Sequence, residues 1–90
     1  MADLKETQER HAADVVANNM AGLMGDFTPA GMAKAMGLAA NPIKATSTQV
    51  KDLGNNEAEI SYIGDSTRVV WSKWVDNGGK WQIEDLAERS

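Results

Sequence analysis

The chain contains no cysteine, which removes disulfides, thiol nucleophiles and cysteine-based zinc sites together. It has a single histidine, His11, so no second imidazole is present to complete a histidine metal site. Aromatic residues are scarce at 6%, and positive charge is thin: nine lysines and arginines are scattered singly through a chain of net charge −4. Without a basic stripe to neutralise phosphates, nucleic acid is not an expected partner. No apolar run approaches the roughly 18 residues of a membrane span. The opening "MADLKETQER" is polar and acidic, unlike a signal peptide. A soluble, cytoplasmic protein is expected, with no membrane partner, no metal and no cofactor.

Ninety residues with 42% hydrophobic and 24% charged side chains describe one globular domain, 1–90, of modest stability. Its character changes near Asn41-Pro42. Before that point lie most of the alanines and Met20, Met24, Met32 and Met36; after it lie most of the threonines, the tryptophans and glycine turns. The pattern predicts helix over about 3–40 and antiparallel sheet over about 43–87.

Asp3 with Glu6 forms a capping-box pair. Ala12, Val16, Met20 and Leu23 follow helical spacing from there, with Gly25 as the stop. Thr28 then caps a second helix with Pro29 at its first position, where a missing N–H is harmless. Met32 and Met36 give that helix an apolar stripe. Past Pro42 four strands are predicted: about Lys44 to Leu53, "EAEISYI", "TRVVWSKWV" and "KWQIEDL". Turns at Gly54-Asn55-Asn56, Gly64-Asp65-Ser66 and Asn77-Gly78-Gly79 separate them. The expected fold class is α+β, a helix pair packed on a curved four-stranded antiparallel sheet.

All three tryptophans fall between Trp71 and Trp81. Strand alternation puts Val70 and Trp74 on one face of the third strand and Val69, Trp71 and Val75 on the other, so both faces are apolar. One face packs under the helices. The other is predicted to pair with a second copy, making Val69, Trp71 and Val75 the interface of a homodimer. In the second strand Ala58, Ile60 and Tyr62 share the inner face; in the fourth, Trp81 and Ile83 do, with Asp85 in phase. A cavity between helices and sheet is expected to be lined by Val16, Met20, Met32, Met36, Tyr62, Trp74 and Trp81.

"DVVANNMAGLMGDFTPAGMAKAM" and "EAEISYIGDSTRVVWSKWVDNGGKWQIEDL" together resemble the nuclear transport factor 2-like superfamily, which includes ketosteroid isomerases and SnoaL-like polyketide cyclases. Gly79 to Ile83 is the most specific part of the likeness. The resemblance implies a cystatin-like cone around the long helix, able to hold a small apolar molecule, and dimerisation through the outer sheet face. This chain is short for that pattern: the region that carries another helix and a hairpin in larger members is reduced to about "GLAANP".

An isomerase of that type needs a carboxylate base and an oxyanion-stabilising donor in an apolar site. Tyr62 as donor and Asp85 as acid or base are the candidates. Tyr62 also reads as a core residue, Asp85 as a solvated acid at a strand end, and His11 as a half-exposed spacer near the cavity rim. No nucleophile elbow or phosphate-binding glycine loop is present. The favoured reading is a non-catalytic ligand-binding or interaction domain, homodimeric, taking a small apolar molecule. The alternative is an isomerase or cyclase acting on a small apolar substrate.

Overall fold

The computed structural model describes residues 3–89. Helix α1 spans Leu4–Ala17, α2 spans Met20–Met24 and α3 spans Pro29–Ala39. Strands β1 (Ser47–Gly54), β2 (Glu57–Ile63), β3 (Thr67–Asn77) and β4 (Lys80–Arg89) follow. The strands form one open antiparallel sheet in the order β1-β2-β3-β4. The expected α+β order of helices before a four-stranded meander holds. Among the described residues no helix is long and apolar enough to cross a membrane.

Asp3 caps α1 as its sequence position predicts, its carboxylate accepting the Glu6 N–H at 2.7 Å. The helix does not run on to Gly25. Asn18 takes a left-handed conformation, φ 56°, and ends α1 at Ala17. Asparagine tolerates that conformation better than other non-glycine residues. Asn19 then caps the short α2, accepting the Gly22 N–H. This break turns Met20 and Met24 to solvent, at 59% and 67% exposure. The face that α1 buries carries Thr7, Gln8, His11 and Ala12. It is more polar than the stripe Ala12-Val16-Met20-Leu23 predicts.

Thr28 and Pro29 start α3 as expected, the Thr28 hydroxyl accepting the Gly31 N–H at 3.1 Å. Its inward stripe is Gly31, Ala35 and Leu38, and Met36 stands 70% exposed. Gly31 is the reason. It is buried, and a Cβ built there would collide with the Ile83 carbonyl of β4. The helix therefore docks on the sheet through a position without a side chain. Just before it, the chain joins the sheet: the Ile83 N–H donates to the Asp26 carbonyl at 2.7 Å and the Thr28 N–H to the Ile83 carbonyl at 3.0 Å. Replacing Gly31 by alanine is expected to cost about 2 kcal/mol, as over-packing against backbone does. Urea unfolding with an unchanged slope checks it.

β1 begins at Ser47 rather than Lys44, and β4 continues to Arg89. A bulge separates β3 and β4: Lys73 faces Asp85 while Trp74 faces Ile83, leaving Glu84 unmatched. Trp74, Ile83 and Leu86 thereby all turn inward, and with Ala12, Ile60, Tyr62 and Val70 they make the core. Leu4, Val15, Phe27, Val50 and Trp81 pack around it.

Candidate functional site

Two arrangements qualify on chemistry or shape. The first is a buried ion cluster. Asp26, 1% exposed, receives a hydrogen bond from the Arg10 guanidinium on one carboxylate oxygen and lies 2.8 Å from His11 Nδ1 through the other. Arg10 also holds Asp14 one turn along α1, at 2.6 Å. The His11 ring is 5% exposed and meets Phe27 and Trp74 edge-on, at centroid distances of 5.7 and 5.5 Å. Burial by itself pushes the Asp26 pKa up, but the hydrogen bonds from His11 and Arg10 outweigh it and hold the carboxyl below its usual range. The Asp26 hydrogen bond likewise raises the Arg10 pKa.

An Asp–His pair invites comparison with a general base. Here the imidazole is enclosed by Phe27 and Trp74, and neither His11 nor Asp26 lines either groove described below. The cluster ties α1 to the 26–28 segment, which is itself bonded to β4. It is a buried fastening. His11 is therefore a buried partner of Asp26 rather than a half-exposed spacer.

The second arrangement is a groove of about 460 Å³ where the last turn of α1 faces the segment before β1. Val15 and Val16 come from the helix and Ile43 and Ala45 from the opposite wall, all half-buried. Asn18, Lys44, Thr46 and Asp65 surround this apolar floor. Its volume lies in the range of small-molecule sites. Pro42 forms part of its wall, and Arg68 holds the residue before it. Arg68 donates to the Asn41 carbonyl at 2.7 Å while its other nitrogens grip Glu88 at 2.6 and 2.8 Å. That pairing raises the Arg68 pKa and lowers that of Glu88, in each case chiefly through the hydrogen bond between them.

The predicted cavity residues do not converge on one space. Val16 lines the groove. Tyr62 and Trp74 lie in the closed core, and the Trp74 indole N–H donates to Ser72 Oγ at 2.9 Å. Met32 and Trp81 are half-buried, and Met20 and Met36 are exposed. Burial pushes the Tyr62 phenol far above its usual pKa. Asp85 is shifted out of phase with Ile83 by the bulge; its carboxylate, 43% exposed, faces Lys34 of α3 at 3.5 Å. Of the outer-face trio, Val69, Trp71 and Val75 are all half-buried. The Trp71 indole N–H donates to Glu57 at 2.8 Å, and the Arg89 guanidinium sits 5.4 Å from the ring centroid.

Compared with protein-family models, with curated proteins and with solved structures, the chain matches none. Sequence reasoning missed Asp26 and Arg10. Only burial distinguishes Asp26 from the other turn aspartates, and burial depends on where α3 docks. It also missed Ile43 and Ala45, which fell at the start of the predicted sheet and signal no groove until α1 is placed beside them.

Proposed function

We propose that this protein is a small non-catalytic binding domain, a shortened nuclear transport factor 2-like cone that takes a small apolar molecule. The observation that carries the reading is the groove between α1 and residues 42–46, with Val15, Val16, Ile43 and Ala45 as its apolar floor. Its polar rim, Asn18, Lys44, Thr46 and Asp65, supplies orientation. The three helical segments leading into an antiparallel meander also support the cone. An isomerase reading draws less support. Its proposed donor, Tyr62, is enclosed in the core, its proposed acid, Asp85, is held by Lys34 at the surface, and the buried Asp26 carboxylate is already neutralised by Arg10.

The test is titration with the fluorophore 1-anilinonaphthalene-8-sulfonate. The folded protein is expected to bind it, and Ala45→Trp, which fills the groove, is expected to weaken binding at least about tenfold, or 1.4 kcal/mol. Equal affinity in the two proteins, or no binding by the wild type, defeats the reading.

A further inference from the structure

The two edges of the sheet are treated differently. At β4 the chain covers its own edge at one point, where Asp26 and Thr28 take both backbone groups of Ile83. At β1 no strand of the described chain is paired on the outer side. The hydrogen bond from the Trp74 N–H to the Asn56 carbonyl, at 2.8 Å, fixes which backbone groups face which way. Asn56 and Trp74 continue the β2–β3 register, so Ala58, Ile60 and Tyr62 are bonded toward β3. Glu57, Glu59, Ser61 and Ile63 are then bonded toward β1, where they meet Ser47, Gln49 and Lys51. The N–H and C=O groups of Thr48, Val50 and Asp52 therefore point off the free edge.

The protection of that edge is confined to Lys51, Asp52 and the bulge after Asp52. Ser47–Gly54 contains no proline, and its one irregularity comes at the far end, after Asp52. Beside it lies a slot of about 130 Å³ lined by Leu4, Lys5, Gln8 and Glu9 of α1 with Val50 and Asp52 of β1. No β2 residue lines this slot, so it opens on the outer side of β1. Gln8 is 3% exposed, and its amide nitrogen has no hydrogen-bond partner among the described residues. A buried donor without an acceptor costs about 1–3 kcal/mol.

We propose that β1 is a self-association edge, on which two copies of this chain pair antiparallel about a twofold axis at Val50 to form one continuous sheet. A twofold axis perpendicular to a sheet preserves its faces, so only residues of like parity meet. Centred on Val50, the register sets Val50 against Val50, Thr48 against Asp52, and Gln49 against Lys51. Each outward-pointing N–H and C=O at positions 48, 50 and 52 then finds its complement. Centring on Lys51 sets two lysines together, and like charges directly opposite are destabilising. The Val50 axis also runs the two α1 helices past each other, carrying Lys5 of one toward Glu9 of the other. Thr48 of the second copy enters the slot as an acceptor for Gln8. This pairing uses neither the groove proposed for binding nor the outer sheet face.

Sedimentation velocity across micromolar to millimolar concentrations tests it. The wild type is expected to dimerise. Thr48→Pro removes an N–H that points off the edge, leaving the β1–β2 ladder untouched. It is expected to weaken dimerisation at least about 100-fold with an unchanged circular dichroism spectrum. Lys5→Glu is expected to weaken it roughly tenfold, and Lys5→Glu with Glu9→Lys to restore it. These α1 positions are exposed, so that series stands even where the proline variant unfolds. A wild type monomeric at millimolar concentration overturns the proposal, and so does a dimer that survives Thr48→Pro. Failure of the charge swap to rescue overturns the Val50 register. Loss of the dimer in Trp71→Glu with Thr48→Pro unaffected places the contact on the outer face instead. None of these results depends on whether the fluorophore binds.

Discussion

Replacing Asp26 by asparagine is expected to lower the free energy of unfolding by about 3 kcal/mol at neutral pH, the scale of breaking a buried ion pair. The carboxylate is 1% exposed and serves two partners on different oxygens. Asparagine keeps one acceptor oxygen and puts an NH₂ where the other oxygen was, so either Arg10 or His11 faces a donor. The cost stays below the largest known for such pairs because the Arg10 side chain is 47% exposed and keeps its hydration. The same substitution changes the pH profile. A carboxyl whose folded pKa is depressed stabilises fully above its unfolded pKa, near 3.8, and the contribution disappears as pH falls through the folded value. Wild-type stability is therefore expected to drop with falling pH below about 4, and Asp26→Asn to drop less steeply over that window. Urea midpoints from pH 2 to 7 decide it. Parallel curves for the two proteins refute the role given to Asp26.

This cluster marks where reading the sequence stops. The sheet was legible because each of its determinants is local. Gly54, Asn55, Asn56, Gly78 and Gly79 all adopt positive φ where turns were predicted, and "EAEISYI" alternates as its burial does, with Ala58, Ile60 and Tyr62 enclosed. The start of α3 was equally legible from Thr28 and Pro29. The rest depends on how elements meet. Nothing in a period-two pattern reveals the bulge at Glu84, yet that bulge moves Asp85 out of phase and puts Leu86 in the core. Met36 looked like core because it lies one turn from Met32. The docking of Gly31 on the Ile83 carbonyl rotates the helix and leaves Met36 outside. The Asn18-Asn19 break was visible as a residue pair that tolerates left-handed backbone, but helical spacing across it carried the reading past. The groove escaped because its floor is assembled from the end of a helix and a segment without regular structure.

The crowding of tryptophans around one hairpin resolves into separate energetic roles, and Trp74→Ala is expected to show the largest effect in the chain, about 4 kcal/mol. Trp74 is 1% exposed, opposite Ile83 and edge-on to His11, and its indole N–H is satisfied by Ser72. Removing it leaves a cavity next to the Asp26 cluster and reduces the Ser72 hydroxyl, itself 2% exposed, to its long bond with the Ala58 carbonyl. Coupling to Asp26 follows: the double variant Trp74→Ala, Asp26→Asn is expected to lose less than the sum of the two singles, because His11 loses its fixed position in either one. Trp71 lies on the opposite face. Its N–H reaches Glu57 and its ring lies beneath Arg89, contacts that water replaces at small cost, so Trp71→Ala is expected to change stability by less than about 1.5 kcal/mol. Measured by thermal and urea unfolding, a ranking with Trp71 above Trp74 contradicts the assignment of faces in β3. That assignment underlies the core, the bulge and the parity argument that places Thr48, Val50 and Asp52 at the open edge.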